Sequence, residues 1–310
     1  MGAMTLLVDS RSARLELARA GVVGYRKTAD HYYRVGLDAL RAIVIYGKSE
    51  INSDLLLACQ QSGVSVVLLP GRQKGEVVHL FPHCNRYALL RMRQHRCYAN
   101  PGERLAISRL IVRAKLLRQN AFLCEMGFDP VLDPAIERLD EADSIASLMG
   151  MEGAAAARYF ALWQKRWPQQ WQFKGRNKRP PRDPVNAMLS LCYTLALHHM
   201  GRITALRGLD LAFGFLHEAL HNRPSLALDL LEPLRPIVDR WVWQWLIDRK
   251  KATIDDFYNH GVFGYRMNKN TRAVFFQDWF SEETRLLQQP ARESLALILK
   301  ALRKREAGTD

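Results

Sequence analysis

The chain of 310 residues is long enough for one large domain or two medium ones, and its 48% apolar content can supply real cores. Its 45 Lys and Arg residues against 31 Asp and Glu give a formal charge of +14, which favours a polyanion such as nucleic acid over an anionic membrane surface or mere solubility. Five cysteines without a CxxC pair and the lack of a bilayer-length apolar run argue against a zinc ribbon, a disulfide framework and a membrane protein, so buried thiols in a reducing cytoplasm are expected.

Short segments rich in Val, Leu and Ile predict β-strands in the first part of the chain. They cover residues 5–9, 14–23, 42–46, 64–69 and 76–81 and are separated by turn residues. One helix is predicted at residues 52–61, with Asn52 or Ser53 as its cap and Gly63 as its end. Residues 1–90 are therefore expected to form a small β-rich domain that carries one helix.

Residues 86–118 are strongly basic, with Glu103 as the single acid. The basic side chains are Arg86, Arg91, Arg93, Arg96, Arg104, Arg109, Arg113, Lys115 and Arg118. Leucines recur between them at roughly helical spacing after a Pro101-Gly102 start, which predicts an amphipathic helix with a basic face. That face either contacts phosphates or is simply solvated, and the near absence of acids keeps the first interpretation open.

Glu152 stands at the start of the segment EGAAAARYF, among small residues. Small residues would let neighbouring backbones approach and place the carboxylate in a crowded, partly desolvated position, where it could bind a metal. A carboxylate in the first turn of a helix is also favoured by the helix dipole, so a plain capping role is the alternative.

Residues 153–182 contain no acid. Their basic residues are Arg158, Lys165, Arg166, Lys174, Arg176, Lys178, Arg179 and Arg182, and Trp163, Trp167 and Trp171 lie among them. Such a composition is typical of a nucleic-acid channel, so we expect the basic loop at residues 168–182 to contact DNA or RNA, and the tryptophans to be buried. A disordered loop beside a tryptophan core is the alternative.

Asp183 and Pro184 predict a helix start, with the cap followed by proline at the first position, and Gly201 predicts its end. Asn186, Ser190 and Tyr193 recur at three- to four-residue spacing along this otherwise apolar helix. A polar stripe on a buried helix usually lines something.

The segment 208–236 contains His217, Asp229 and Glu232, which are residue types that a hard divalent metal recruits. A helix capped by Ser225 would place Asp229, Glu232 and Arg235 on one face. One imidazole with two or three carboxylates suits Mg²⁺ or Mn²⁺, and the imidazole favours Mn²⁺. An ordinary surface ion pair between Glu232 and Arg235 is the alternative.

The string HEALH at residues 217–221 also matches a zinc-protease motif. That site needs His217 and His221 one turn apart on a continuous helix, with Glu218 as the general base. Because Asn222, Arg223 and Pro224 end any helix directly after His221, a zinc protease is only a remote third hypothesis for the function.

Three segments, EGAAAARYF, RDPVNAMLSLCYTLA and GFLHEALHNRPSLALDLLEPLRP, resemble in type, order and spacing those of the CRISPR-associated protein 1 family. The resemblance is specific between Glu152 and Arg235 and weak beyond about Lys250. It implies an α+β fold, with a small β-rich amino-terminal dimerisation domain at residues 1–90 and a larger all-α catalytic domain at residues 91–310. Many members have proline where this chain has Leu211, and some have aspartate where it has Glu232.

The resemblance further implies a metal-dependent DNA integrase and endonuclease, whose Mg²⁺ or Mn²⁺ is held by Glu152, His217 and Glu232, with Asp229 as a further candidate. It implies a homodimer, the partner CRISPR-associated protein 2, and double-stranded DNA from the prespacer and the CRISPR repeat. A prespacer 3′-hydroxyl would attack a phosphodiester at the leader–repeat junction. The residues expected to support the metal site or contact DNA are Asp229, Asn186, Arg235, Arg158, Lys174, Arg176, Lys178, Arg179 and Arg182.

The competing hypothesis of a different class is a basic scaffold that binds nucleic acid without catalysis. In that case the acidic cluster is purely structural, and the chain has no Mn²⁺ site. Substitution of the three ligand candidates separates the two hypotheses, because only the integrase loses strand transfer.

Overall fold

The computed structural model describes residues 4–10, 13–19, 21–28, 31–71, 76–82, 87–177 and 180–303. A strand-rich amino-terminal part is followed by a larger helical part, which confirms the expected α+β class. The helical part is not purely helical, since a short antiparallel ribbon lies within it. Arg86, Lys178 and Arg179, three of the predicted phosphate contacts, lie outside the described residues, as does Cys84.

The amino-terminal part is built from two four-stranded sheets and one helix. The strands are β1 (Met4–Val8), β2 (Ala13–Arg19), β3 (Val22–Thr28), β4 (His31–Gly36), β5 (Leu40–Tyr46), β6 (Ser49–Ile51), β7 (Ser65–Leu69) and β8 (Val78–Leu80), and the helix is α1 (Ser53–Ser62). One sheet has the order β1-β5-β7-β8 and the other β4-β3-β2-β6. In the first sheet β5 pairs in parallel with both β1 and β7.

Alternation along β5 assigns neighbouring residues to different cores. Ile43 and Ile45 belong to the core that the two sheets share with α1. Val44, between them, belongs to the core of the helical part. Because successive side chains point to opposite faces, a strand buried on both faces is apolar without interruption, and β5 was easy to predict for that reason.

The helical part contains α2 (Ala88–Ala99), α3 (Pro101–Glu125), α4 (Asp133–Glu137), α5 (Ile145–Gln164), α6 (Pro184–Leu206), α7 (Ser225–Leu231), α8 (Arg235–Trp243) and α9 (Lys269–Arg303), with the ribbon β9 (Phe257–Asn259) and β10 (Tyr265–Met267) before α9. Helix α3 packs against α5, α8 and α9, so it lies at the centre of this part. Of the helices in the described ranges, none is both long and apolar enough to cross a membrane.

Two sequence predictions about the strands and helices are corrected. The single strand expected at residues 14–23 is the antiparallel pair β2 and β3, which turns at Gly21 with a φ of 73°. Helix α6 continues past Gly201 to Leu206, because the glycine makes room instead of ending the helix. A Cβ atom on Gly201 would lie 2.2 Å from the ring of Phe81, which packs there from the amino-terminal part.

The other local predictions are mostly confirmed. Asn52 caps α1 by accepting a hydrogen bond from the Asp54 amide, and Gly63 ends that helix with a φ of 71°. The thiols of Cys59, Cys97 and Cys192 are buried as expected, whereas that of Cys124 is exposed.

A pair of histidines, one buried and one half-buried, joins the two parts of the molecule. His79 of β8 and His198 of α6 face each other with their Nδ1 atoms 3.2 Å apart, and the rings stack at a centroid distance of 5.4 Å. The Oγ of Ser65 lies 2.8 Å from Nε2 of His198. Burial lowers the pKa of His79 to about 4, so both parts meet at an imidazole that is neutral near pH 7.

The lowered pKa of His79 predicts that the free energy of unfolding falls in acid. The unfolded chain binds the His79 proton with an ordinary pKa near 6.5, and the folded chain only near 4, so stability is complete above pH 6.5 and is lost as the pH falls towards 4. In urea unfolding, the wild type should lose up to about 1.4 kcal/mol per pH unit from this group. The variant His79→Phe, which keeps a ring beside Phe81, should show a shallower profile. Parallel profiles for the two proteins would contradict the assignment.

Candidate functional site

Two carboxylates from different helices meet at one ammonium group in the helical part. The Nζ of Lys115, on α3, donates a hydrogen bond to Oε1 of Glu152 on α5 and another, of 2.5 Å, to Oε2 of Glu232 after α7. The side chains of Lys115 and Glu232 are 8% and 7% exposed, and that of Glu152 is 20% exposed. The acids that the sequence places far apart are therefore neighbours that share one cation.

The charges around Glu232 keep its carboxylate ionised. Burial alone would raise the pKa of Glu232, but Arg235 and Lys115 outweigh burial and hold the pKa well below its usual range. His217, when charged, acts in the same direction, so its imidazole lies within electrostatic reach of Glu232. Burial likewise opposes the charge of Lys115, yet Glu232 and Glu152 raise the pKa of Lys115. The position thus favours a cation strongly enough to overcome desolvation.

Pro233 determines where Glu232 lies. Pro233 has no N–H to donate to the carbonyl of Asp229, so α7 ends at Leu231 and Glu232–Leu234 form a single 3₁₀ turn before α8. The carbonyl of Pro233 accepts a 3.0 Å hydrogen bond from Arg118 on α3. The Nε of Arg235 donates to Oε1 of Glu232 at 2.8 Å, so the alternative ion pair exists, but it is buried and not at the surface.

His217 is held by Asp229 and not by a helix. The carboxylate of Asp229 is fully buried and accepts four hydrogen bonds. Its Oδ2 accepts from the amides of Phe215 and Leu216 at 2.5 and 3.0 Å, and its Oδ1 accepts from the amide and Nδ1 of His217 at 2.9 and 2.7 Å. Because an ionised carboxylate only accepts, Nδ1 carries the proton and Nε2 keeps its lone pair for a metal. Asp229 therefore positions His217, and its own oxygens are engaged within the protein.

Gly214 allows the chain to wrap this closely around Asp229. A Cβ atom at that position would lie 2.7 Å from the backbone of Ser225 and 2.9 Å from Oδ2 of Asp229. Residues 209–224 form no helix, so His217 and His221 do not occupy successive turns of one. The zinc-protease hypothesis, which requires that helix, is wrong. Pro224, not Ser225, is the cap of α7, and the Ser225 hydroxyl donates to the carbonyl of Glu218 instead.

The variant Asp229→Asn tests the positioning role. The amide keeps the size of the side chain but replaces one accepting oxygen with a donor, so the His217 segment loses part of its support. We expect Mn²⁺ affinity to fall by roughly 10- to 100-fold, the usual effect of removing a group that orients a metal ligand. Isothermal titration with Mn²⁺ measures it, and Asp248→Asn, an exposed aspartate on the same part of the chain, is the matched control. Equal affinities in the two variants would count against the role.

The donor set agrees with a divalent metal, although the ligands are not gathered around one point. Within the described ranges no three His, Cys, Asp or Glu side chains surround a common position. Glu152 and Glu232 instead share the Lys115 ammonium, and His217 lies near Glu232. Two carboxylates and an imidazole are ligands that Mg²⁺ and Mn²⁺ accept, so these residues fit such an ion.

The predicted polar stripe on α6 binds the side chain of Arg176. Asn186 is fully buried and accepts hydrogen bonds from Nη1 of Arg176 at 2.8 Å and from the amide of Asn177 at 3.0 Å. Nη2 of Arg176 donates to Oγ of Ser190 at 3.1 Å, and the guanidinium stacks on the ring of Tyr193. The expectation that the stripe lines something is confirmed. Asn186 and Arg176 anchor the basic loop from within.

The exposed charges of this region lie on α5 and on the loop. Arg158, Lys174 and Arg182 are exposed, while Lys178 and Arg179 are outside the described residues. Trp163, Trp167 and Trp171 are 0%, 7% and 3% exposed and pack edge to face in sequence, which confirms the expectation that they are buried. Bases cannot stack on these rings, so the loop offers charge and the tryptophans support it.

The arginines expected to form a basic face on α3 mostly contact other groups of the same chain. Arg104 donates to the carbonyl of Phe215 at 2.7 Å, Arg109 to that of Ala142, and Arg113 pairs with Asp140 at 2.9 Å. Lys115 was expected on that face and is buried. Its true position was available from periodicity, because Ser108, Ile111, Val112, Gln119 and Phe122 share the buried side of α3 with it.

Glu152 also lies elsewhere on its helix than the sequence indicated. Helix α5 begins at Ile145 after the cap Ser144, so Glu152 is in the interior and not in the first turn, and the capping alternative does not apply. Gly153 and Ala154, which follow it directly, are exposed, whereas Ala155 is buried, and a Cβ atom on Gly153 would meet nothing within 4 Å. The surface formed by Gly153 and Ala154 beside Glu152 is therefore open to solvent.

Sequence reasoning missed a buried acid behind the site. Asp239, on α8, accepts hydrogen bonds from the hydroxyls of Tyr159, at 2.9 Å, and Tyr193. Burial raises the pKa of Asp239 to about 6, against the opposing effect of the two hydroxyls. Arg235 stacks on Tyr193 from the side of Glu232. Asp239 follows Arg235 by four residues on a helix that is otherwise mostly apolar, and this spacing was the sequence signal that could have revealed the acid.

Comparison with known proteins finds relatives that match most of the chain. A sequence model of the family described as CRISPR associated protein Cas1 matches residues 6–281. A protein of Thermodesulfovibrio yellowstonii, CRISPR-associated endonuclease Cas1 1, is 34% identical over 263 residues, which cover 80% of this chain and 82% of that protein.

Two solved structures share the fold. A CAS1 protein from Thermotoga maritima superposes with a TM-score of 0.84 at 22% identity, over 96% of each chain. A casposase bound to integration product superposes with a TM-score of 0.78 at 23% identity, over 90% of this chain and 82% of the other. The family match runs through both the sheets and the helices and includes Glu152, His217 and Glu232. The chain therefore belongs to the CRISPR-associated protein Cas1 family.

Proposed function

We propose that this chain is a divalent-metal-dependent DNA endonuclease and integrase of CRISPR adaptation. The observation that carries the proposal is the convergence of Glu152 and Glu232 on one cation position, with His217 oriented beside it by Asp229. In this proposal Glu152, Glu232 and Nε2 of His217 hold Mg²⁺ or Mn²⁺. The endonuclease names of the relatives and the integration product bound to the casposase support the same activity.

The proposed reaction is a transesterification on DNA. The 3′-hydroxyl of a prespacer strand attacks a phosphodiester at the leader–repeat junction, and a new phosphorus–oxygen bond forms as the bond to the leaving 3′-oxygen breaks. One phosphodiester replaces another, so the reaction needs no protein nucleophile and no energy source. When bound, the metal ion lowers the cost of charge on the attacking and leaving oxygens.

The chain's own cations have a separate role in this proposal. Arg235 stays fixed between Glu232 and the Tyr193 ring, where its planar guanidinium neutralises negative charge at the edge of the site. Lys115 has a flexible stem, and its ammonium can turn to a phosphate once the carboxylates bind a metal. Arg158, Lys174 and Arg182, which are exposed, contact the DNA backbone together with Lys178 and Arg179.

We further propose a homodimer formed through residues 1–90, with the catalytic domain at residues 91–310, and assembly with Cas2. Solved chains of the same fold come from a Cas6-RT-Cas1–Cas2 complex and a TtCas1-DNA complex, which supports Cas2 and DNA as partners. The formal charge of +14 supports a polyanionic substrate.

A strand-transfer assay tests the proposal. The purified chain is mixed with a Cas2 protein, a prespacer duplex and a supercoiled plasmid that carries the repeat. With Mn²⁺ or Mg²⁺ we expect joined and relaxed plasmid products, and with EDTA we expect none. If DNA binds but no product forms with either metal, the non-catalytic scaffold is the better description.

A further inference from the structure

A cavity of about 470 Å³ opens where the amino-terminal part meets α6 and α9. Its walls come from Arg41 at the start of β5, from the carboxy-terminal half of α6 and from the middle of α9. Arg202 of this wall lies about 24 Å along α6 from Asn186, at 1.5 Å per residue. The cavity shares no lining residue with the site formed by Glu152, His217 and Glu232.

The cavity is lined by four arginines, Arg41, Arg202, Arg207 and Arg292. None of the described residues that line it is acidic. The carboxylate of Glu283 is next to this wall, but it is buried and already shared between Arg41, at 2.5 Å, and Nδ1 of His199, at 3.1 Å. The concave surface therefore presents an excess of positive charge, and its walls focus that potential inwards.

The arginines differ in their roles. Arg41 is 5% exposed, and its three nitrogen groups donate to Thr5, Thr284 and Glu283, so it forms a fixed part of the wall. Arg207, directly after α6, and Arg292, on α9, are exposed and border the cavity. Burial lowers the pKa of Arg202 and the nearby charge of Arg41 lowers it further, while Glu283 acts in the opposite direction.

Apolar and neutral polar groups, together with His199, complete the described lining. Ile203, Leu206 and Leu295 supply an apolar surface, and Thr284 and Gln288 supply a hydroxyl and an amide. Guanidinium groups bind phosphate oxygens in pairs, while an apolar surface accepts the face of a base or a sugar. The volume falls within the range of small-molecule sites, roughly 300–1,000 Å³.

We propose that this cavity binds a nucleoside phosphate, either free in solution or as the terminal nucleotide of a nucleic-acid strand. The phosphate lies between Arg202, Arg207 and Arg292, and the nucleoside lies on the leucine and isoleucine side chains. Arg41 and Glu283 hold the wall behind it. Binding is independent of a divalent metal, because the part of the lining that the structure describes offers no carboxylate to coordinate one.

The test compares two double variants of the full chain that lose the same charge. Arg207→Gln with Arg292→Gln removes the two exposed arginines of the cavity, and Arg138→Gln with Arg285→Gln removes two exposed arginines elsewhere. Binding of dAMP, of inorganic phosphate and of a 5′-phosphorylated hexanucleotide is measured in EDTA, by calorimetry or fluorescence anisotropy. Should the cavity double variant melt early, Arg292→Gln against Arg285→Gln gives the same comparison.

We expect the wild type and the control variant to bind equally, and the cavity variant to bind at least tenfold more weakly. Binding of dAMP identifies a free nucleotide as the ligand, and binding of the hexanucleotide alone identifies a strand end. Glu152→Gln should bind as the wild type does, which separates this cavity from the candidate metal site. Equal binding by both double variants, no binding of dAMP or the hexanucleotide, or inorganic phosphate binding as tightly as dAMP overturns the proposal.

Discussion

Replacing Glu152 with glutamine is expected to reduce strand transfer by roughly 1,000-fold, which corresponds to about 4 kcal/mol of transition-state stabilisation. The amide has the size of the carboxylate but no charge, so it is a poor ligand for a hard divalent ion. Glu152 is the more exposed of the two acids on Lys115, at 20% against 7%, so folding should survive the change. Product formation with Mn²⁺ and Cas2 measures the effect.

The DNA-binding affinity of the same variant should be nearly unchanged, because phosphate contacts are made by basic residues and not by this acid. His217→Ala and Glu232→Gln should lose activity to a similar extent. Glu218→Gln is the matched control, since Glu218 is an exposed glutamate directly after His217 and would be essential only in a zinc protease. Wild-type turnover in the Glu152, His217 and Glu232 variants would falsify the proposed centre.

Replacing Lys115 with methionine is expected to destabilise the metal-free protein by about 3–5 kcal/mol, as when one partner of a buried ion pair is removed. Glu152 and Glu232 would then face each other without the cation that now separates their charges. A divalent ion competes with the ammonium for the same oxygens, so the variant should bind Mn²⁺ more tightly than the wild type does. Its melting temperature should therefore rise more steeply with Mn²⁺ concentration.

Arg113→Met is the control for the lysine variant. Arg113 lies on the same helix and pairs with Asp140, but this pair is exposed and contributes little to stability. We expect the control to melt like the wild type and to respond equally to Mn²⁺. If Lys115→Met and Arg113→Met respond to Mn²⁺ alike, the ammonium does not occupy the position that the metal takes.

Local signals were sufficient for much of the fold. The continuous apolar run of β5 and the cap and glycine around α1 each have one physical cause that is present in a few neighbouring residues. Strand β4, HYYRVG, was missed because one of its faces is open to solvent and its sequence is mostly polar. The end of α6 was missed because Gly201 serves Phe81, a residue far away in the sequence.

The candidate site likewise has residues that local sequence predicted and residues that it did not. The types and spacing of His217, Asp229 and Glu232 indicated a metal, whereas the residues around Glu152 left ligand and helix cap as alternatives and the resemblance favoured the ligand. Asp229 positions His217 while Glu232 faces the Lys115 ammonium. This difference depends on the path of the loop at residues 214–217, which no local sequence pattern encodes. Lys115 could not be distinguished from its basic neighbours by charge, only by the buried side of the helix that it shares.

The burial of β5 on both faces also affects how the molecule unfolds. Ile43 and Val44 are adjacent in the chain but serve different cores, so neither core can open without exposing a face of the same strand. The sheet is a common wall between the strand-rich and helical parts. We therefore expect the described chain to melt in a single cooperative transition, and a fragment cut after residue 90 to expose Val44, Val67 and Leu69 to water.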